Sequence, residues 1–265
     1  MSVDAGARKF ARERVSDLIY EDLRDRILSG ALPHGSRLPA ERDLAAEYGV
    51  SGQTVRESIR ALTAMGLVAS KQGRGAFVTA RSDSLTALSL ASVIQLDKLG
   101  VGDVLGVLGA LLSHATALAV TRASDEDLAQ LRESAENMLA PSPEKSAENL
   151  SVFLRRLAAV GHNPLLALLC GFLIDVQVRL ALELGTKRPT AWKKAAGPLQ
   201  DARMALVAAL EARDAERAVR CLETYSDRMR ELIDTASQSK QFRLTDTDFA
   251  RLVSQLSADQ KKQLD

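Results

Sequence analysis

The strongest local signal in the sequence is Val50-Ser51-Gly52-Gln53-Thr54-Val55-Arg56-Glu57. Gly49 supplies a turn ahead of it. Ser51 then fits the N-cap of a helix, because its side-chain oxygen can accept a hydrogen bond from a free backbone N–H of the first helical turn. Apolar side chains follow at helical spacing, namely Val55, Ile59 and Leu62. The stretch therefore predicts a helix that begins at Ser51 and ends at about Met65.

The segments on either side extend this pattern. A helix with apolar residues at three- and four-residue spacing is predicted from Val15 to Gly30, and Leu38-Pro39-Ala40-Glu41 opens a second, shorter helix. After the third helix, residues 67–70 and 76–79 are predicted to form two short strands joined by a glycine-rich loop. The order is typical of a winged helix-turn-helix, which we predict for residues 1–80, with a flexible start over residues 1–14.

The predicted third helix carries side chains suited to reading DNA. The N-terminal end of the second helix of a helix-turn-helix enters the major groove. There, Ser51, Thr54 and the free N–H groups can hold phosphate, helped by the positive helix end. Gln53 can pair with adenine, and Arg56 can reach guanine or phosphate.

The predicted hairpin adds a second candidate contact. Gly73 lets the loop approach DNA closely, and Arg74 can enter the minor groove or bind phosphate. A glycine pair around an arginine is also compatible with a plain tight turn. The net charge of the whole chain is only +1, yet residues 37–81 hold seven basic and four acidic residues, which gives a local positive balance.

Together these residues resemble the GntR family of bacterial regulators. The resemblance rests on residues 37–45, on Gly49-Val50-Ser51, on residues 54–57 and on Gly66-Leu67-Val68. It implies DNA contacts by six of the residues present here: Arg42, Ser51, Thr54, Arg56, Gly73 and Arg74. The family commonly has arginine directly after the serine or threonine. This sequence has Gly52 there, so we expect Gln53 to carry more of the base specificity.

From residue 81 onward the sequence is predicted to be helical throughout, so the fold class is mainly α. The proposed helices cover 84–98, 101–122, 125–139, 143–160, 164–185, 190–212 and 215–237. We assign residues 81–240 to an all-helical effector-binding and dimerisation bundle, and 241–265 to a C-terminal extension with one short amphipathic helix. The longest uncharged run, Val104 to Thr121, is near the lower length limit of a membrane span. Its small polar residues favour a buried bundle helix.

The helical part is similar to the FadR-type branch of the family, whose bundle is usually the metal-associated FCD domain. Residues 124–128 and 163–166 carry this resemblance. It implies one aspartate and three histidines as ligands of a divalent metal. In this sequence Phe153 fits the family phenylalanine, but the four ligand positions fall at Leu150, Leu154, near Arg203 and near Tyr225. We therefore expect neither a metal nor another cofactor.

Two interpretations of the former ligand positions remain open. Either leucine side chains fill the site, or an apolar pocket persists and takes a fatty-acyl, lipid-like or aromatic compound. An acidic head group would need a buried cation. Our candidates for the effector site are Arg203 and Tyr225 first, with His114 as a hydrogen-bonded core or pocket residue and Leu154 on the apolar wall. Arg156 and Arg179 are weaker candidates.

The leading hypothesis is a homodimeric repressor that a small apolar or carboxylate-bearing effector releases from a palindromic double-stranded DNA operator. The alternative is a ligand-independent repressor whose bundle only dimerises, which the Gly102, Gly106 and Gly109 spacing favours. An enzyme is the rival class, but the sequence shows no nucleophile triad and no phosphate loop with lysine. Two cysteines and an N-terminus without a secretion-type apolar core predict a reduced, cytoplasmic protein without a membrane partner.

Overall fold

The computed structural model of the chain describes residues 4–71, 73–138, 140, 142–237 and 249–256. Within them the chain forms one hairpin and a series of helices, and the described residues divide into two compact units, one that ends at Leu85 and one that begins at Thr86. The elements in chain order are α1 Asp4–Leu28, α2 Glu41–Tyr48, α3 Gly52–Ala64, β1 Val68–Lys71, β2 Gly75–Val78, α4 Ser82–Leu96, α5 Val101–Arg122, α6 Asp125–Glu136, α7 Pro143–Ala159, α8 Pro164–Lys187, α9 Pro189–Glu211 and α10 Ala215–Ser237.

The first unit is a winged helix-turn-helix, as the sequence predicts. Gly49 ends α2 at φ 64°, a left-handed backbone conformation that glycine adopts without steric cost. The strands β1 and β2 pair antiparallel, and the backbone of Arg37 forms a bridge to Phe77, so the segment ahead of α2 borders the hairpin. The helices pack around a shared apolar core in which Leu23, Leu44 and Leu62 are fully buried.

The first helix is longer than the apolar pattern indicates. It begins at Asp4, whereas the recurring apolar residues start at Val15 and a flexible start was expected over residues 1–14. The added turns are rich in alanine and arginine, which favour helix through their backbone propensity without needing an apolar face. Apolar periodicity therefore predicted the helix from Val15 onward and missed its start at Asp4.

The second unit is a helical bundle whose helix starts are fixed by local chemistry. The side chain of Ser124 accepts a hydrogen bond from the backbone N–H of Asp127, and Asn163 does the same for Leu166. Proline occupies the first turn of α7, α8 and α9, where it is tolerated because no intrahelical donor is required. The predicted helices over this unit are confirmed, with ends that differ by a few residues.

The long apolar helices lie within this bundle. By length and composition alone, α5 and α8 are apolar enough to cross a membrane. In the structure they contribute Leu108, Leu112, Ile174 and Leu180 to the buried core. Cys170 on α8 is also buried; it forms no disulfide, and burial raises the pKa of its thiol to about 11.

Residues 249–256 form a helical stretch that belongs to the bundle core. Phe249, Leu252 and Val253 are nearly completely buried there. The sequence predicts this amphipathic helix but assigns it to an extension separate from the bundle. An apolar stripe on a short helix becomes stable only when it is covered, and the bundle covers it. The rest of the proposed extension lies outside the described residues.

We expect Phe249→Ala to destabilise the bundle by about 3–5 kcal/mol, because it removes a buried aromatic side chain and leaves a cavity. Leu165→Ala is the matched control, since Leu165 on α8 is 64% exposed and its change should stay within about 0.5 kcal/mol. Urea unfolding followed by far-ultraviolet circular dichroism measures both. Equal, small effects of the two variants would show that residues 249–256 do not belong to the core.

Candidate DNA-binding surface and buried polar cluster

The start of α3 is held by a small hydrogen-bond network. Ser51 Oγ accepts from the backbone N–H of Thr54 at 3.3 Å and lies 2.9 Å from Thr54 Oγ1. Ser51 is exposed, whereas Thr54 is buried, with 4% of its surface accessible. The structure therefore corrects one expectation: the Thr54 hydroxyl supports Ser51 and the helix start, and it does not offer a free side-chain contact.

Two exposed side chains on α3 are each paired with a carboxylate. Gln53 donates from Nε2 to Glu57 Oε1 at 3.2 Å, one turn further along the helix. Arg56 donates from Nε and Nη2 to Glu41 Oε2, at 3.0 and 2.8 Å, across the turn between α2 and α3. This carboxylate raises the pKa of the Arg56 guanidinium and restricts where that side chain can point.

Glu41 is a residue of this surface that the sequence analysis missed as a functional candidate. It lies in the first turn of α2, where an acidic side chain also interacts favourably with the helix dipole. That local reading accounts for Glu41 without any reference to Arg56, because the two residues are 15 positions apart. The pairing of Glu41 with Arg56 could have been predicted only from the way in which the two helices of a helix-turn-helix pack against each other.

The remaining predicted contacts are exposed. The side chain of Arg42 is 94% exposed and lies 3.4 Å from Asp43. In the hairpin loop, Gly73 has φ 71°, and Arg74, exposed beside it, donates its backbone N–H to Lys71 O. The structure thus presents Arg42, Gly73 and Arg74 on the surface of the first unit.

A cleft of about 510 Å³ runs between the start of α2 and the hairpin. Arg37, Glu41, Lys71 and Gly75 line it together with neighbouring residues. Gly75 has φ 95°, and a Cβ atom there would lie 2.9 Å from Arg37 Nε, so a larger residue would displace that side chain. Arg37 is a second residue that the candidate set lacked, and it places positive charge beside the hairpin.

The bundle contains a buried polar cluster at the positions that the sequence singled out. Arg203 on α9 is 5% exposed and Tyr225 on α10 is 1% exposed. The Cζ atom of Arg203 lies 5.7 Å from the centre of the Tyr225 ring, and Phe153 packs edge-on against that ring at 6.5 Å. Leu154, on α7 next to Phe153, is fully buried. The structure therefore brings Arg203 and Tyr225 together.

Hydrogen bonds link this cluster to neighbouring helices. Arg203 Nη2 donates to Gln200 Oε1 at 3.0 Å, and Gln200 Nε2 donates to the carbonyl of Ala135 at 2.8 Å. Gln177 Nε2 on α8 lies 3.4 Å from the Tyr225 hydroxyl. Burial raises the pKa of the Tyr225 phenol, and the positive charge of Arg203 offsets that only in part. Tyr225 is therefore a neutral hydroxyl that can donate a hydrogen bond.

Three other proposed effector residues lie elsewhere. His114 is exposed on α5, which corrects the expectation of a core or pocket residue. The buried face of α5 runs through Leu108, Leu112 and Ala115, and His114 projects from a different side of the helix. Arg156 donates to the carbonyl of Gln130 at 2.6 Å at the bundle surface, and Arg179 lies 3.7 Å from Glu183 on its own helix.

The donor set does not fit a divalent metal. Across the described parts of the chain, no three His, Cys, Asp or Glu side chains lie close enough together to hold one. The positions that correspond to the family ligands hold two leucines, an arginine and a tyrosine, and an arginine has no lone pair to offer. A guanidinium at the site would in addition repel a cation.

Comparisons with known proteins agree with this two-unit organisation. The family model described as bacterial regulatory proteins, gntR family, matches residues 15–78, and the FCD domain model matches residues 103–228. The HTH-type transcriptional repressor NanR of Cronobacter sakazakii is 27% identical over 250 residues, covering 90% of this chain and 92% of NanR. A Mycobacterium gastri protein named as an HTH-type transcriptional regulator, RmpR, is 32% identical over 155 residues, and this match spans 57% of each chain.

A solved structure supports the fold. Streptococcus agalactiae GntR superposes with a TM-score of 0.60 at 18% identity, covering 82% of this chain and 99% of that one. The two family models and these relatives describe transcription regulators, not enzymes.

We expect Glu41→Gln to lower the ratio of specific to non-specific DNA affinity about 5- to 10-fold, since a well-oriented arginine contributes roughly that much discrimination. Without the carboxylate, Arg56 keeps its charge but loses its fixed direction. Fluorescence anisotropy with an operator duplex and a scrambled duplex measures the ratio. Glu47→Gln is the control: it removes the same charge from α2, but Glu47 pairs with Arg26 at 3.1 Å. An equal change in both variants would mean that net charge alone matters.

Proposed function

The chain belongs to the GntR family of bacterial regulatory proteins and carries an FCD domain behind its DNA-binding domain, and from this premise we propose that it is a cytoplasmic, homodimeric repressor that a small organic acid releases from a palindromic operator. The observation that carries the proposal is that one chain holds both an exposed helix-turn-helix surface and a bundle with a buried cation, Arg203. Each part of the proposal has its own support.

The operator contacts rest on exposure and side-chain chemistry. We assign base reading to Gln53 and Arg56, which are exposed on the first turns of α3, and phosphate binding to Arg42 and Ser51. Gly73 and Arg74 at the hairpin tip are assigned to the adjacent groove. Thr54 contributes by holding Ser51 in place.

The homodimer is supported by apolar surface on the bundle. Leu88 and Leu96 on α4 and Val107 on α5 are exposed, and Leu96 is 80% exposed. Next to Val107, the Cβ positions of Gly102 and Gly106 have no neighbouring atom within 4 Å, so the backbone of α5 can approach a second helix closely. A second copy of the chain suits this surface, because a two-fold dimer matches the symmetry of a palindromic DNA site.

The effector is proposed to be a fatty-acyl, lipid-like or aromatic acid. Buried Arg203 supports the acid group, and the aromatic and leucine side chains of Phe153 and Leu154 support an apolar body. The alternative is a ligand-independent repressor whose bundle only dimerises. Its support is that Leu150 and Leu154 are almost completely buried, as expected where core side chains have filled an ancestral site.

We expect Gln53→Ala to relax base preference while it leaves non-specific affinity nearly unchanged. Arg42→Ala should weaken binding to every sequence and reduce the slope of log affinity against log salt by about one, because one phosphate contact is lost. Gel-shift titrations with the upstream region of the gene and a scrambled duplex test both. Failure of the unaltered protein to shift its upstream region at low salt would contradict the proposed function.

We expect Val107→Glu to shift the protein from dimer to monomer at micromolar concentration, because an interface would have to desolvate the new carboxylate. Val152→Glu is the matched control, as Val152 is 41% exposed on α7. Size-exclusion chromatography with light scattering gives the mass of each variant. A dimer in Val107→Glu together with a monomer in Val152→Glu would place the interface on α7 instead.

A further inference from the structure

We propose that the Arg203 guanidinium is a metal-independent subsite for the carboxylate of an organic acid, in place of the divalent metal of related bundles. The inference rests on the proposed function, since it names the chemistry by which that effector is held. It follows from the burial of Arg203, from its missing counter-charge and from the side chains around it.

Arg203 carries a positive charge into the interior of the bundle. Arg203 is 95% buried by surface, and across the described residues no aspartate or glutamate forms an ion pair with it. Arginine stays protonated in proteins, so the positive charge persists inside the bundle. An uncompensated buried charge is strongly unfavourable, and proteins normally provide a partner of opposite sign.

The hydrogen-bond donors of the Arg203 guanidinium are not all satisfied. Its Nη2 donates to Gln200 Oε1, and the Tyr225 ring lies beside Cζ at a distance compatible with a cation–π contact. The Nε atom is buried and has no hydrogen-bond acceptor. A buried donor without an acceptor is rare in folded proteins, so this atom marks the place where an anionic oxygen would bind.

The donors of Arg203 and the side chains around it indicate the class of ligand. A carboxylate matches the planar donor fork of a guanidinium, and the neutral Tyr225 hydroxyl can donate a further hydrogen bond to it. Phe153 and Leu154 make the surroundings apolar. Such surroundings favour a monoacid with an aliphatic or aromatic body over inorganic phosphate, whose second charge and extra oxygens would lose more hydration.

Gln200 connects the proposed subsite to α6 through hydrogen bonds. Its side chain accepts from Arg203 and donates to the carbonyl of Ala135 near the end of α6. A carboxylate that draws Arg203 away from Gln200 would therefore also alter this contact with α6. The permanent charge of arginine makes the subsite independent of metal supply.

The first experiment measures the ligand-free protein. Arg203→Met removes the charge and keeps a chain of similar length, so we expect the thermal midpoint of the bundle to rise by a few degrees, because an unpaired buried charge is replaced by an apolar side chain. Arg217→Met on exposed α10 surface is the control and should leave the midpoint unchanged. A fall of the midpoint in Arg203→Met would show that Arg203 serves the fold and would overturn the proposal.

The second experiment measures ligand binding after treatment of the full chain with EDTA. The probes are octanoate and benzoate, their neutral amides, and inorganic phosphate. We expect the acids to raise the thermal midpoint with concentration, the amides and phosphate to have no effect, and Arg203→Met to bind the acids about 10- to 100-fold more weakly. No response to either acid, an equal response to the amides, a requirement for added zinc, or unchanged binding by Arg203→Met would each overturn it.

These outcomes separate the inference from the proposed function. If the protein binds its operator but does not bind the acids, the proposed subsite is overturned and the proposed regulator function stands. Acid binding that depends on Arg203 in a protein that binds no operator would retain the subsite and contradict the repressor.

Discussion

Burial of apolar helix faces is the constraint on which the larger unit depends. Leucine, alanine and valine stripes from the bundle helices close over one another, and side chains such as Phe153 and Leu206 lose all contact with water. The free energy of such a core comes from apolar area removed from water, about 25 cal/mol per Å². Polar groups in this interior are tolerated only when they are paired. Arg203 departs from that rule, because its buried Nε has no acceptor and no carboxylate among the described residues offsets its charge.

In the smaller unit, the corresponding constraint acts on the direction of an exposed side chain and not on burial. A long arginine at a DNA surface samples many positions, and each contact must overcome the entropy of ordering it. Glu41 limits the positions of Arg56 in the free protein, and Ser51 caps the helix that carries the proposed contacts Gln53 and Arg56. The proposed DNA-reading surface is therefore partly organised in the free protein, by contacts that would carry no sequence information themselves.

The sequence predicted most of this architecture because helix starts, prolines and apolar periodicity are local signals. The same reasoning located Arg203 and Tyr225 through a family resemblance. Sequence reasoning failed where the burial of a residue depends on which side of a helix it occupies, or on contacts with residues far away in the sequence. His114 lies on an apolar helix, yet a shift of two residues from Leu112 turns it to the exterior. The burial of Thr54, the pairing of Glu41 with Arg56 and the unpaired Nε of Arg203 all depend on tertiary packing, which a linear pattern does not contain.

The burial of Phe249, Leu252 and Val253 has a consequence for the order of events during synthesis. Among the described residues, the buried core of the winged helix lies between Ile19 and Val78, so these core contacts can form early in translation. The bundle core includes side chains from Ala87 to Val253. It cannot close until the ribosome has released the last of them, and Leu252 and Val253 emerge long after α5 and α8. The bundle core therefore lacks part of its apolar contacts until this late segment is made, so the nascent bundle is the stage at which we expect aggregation to compete with folding.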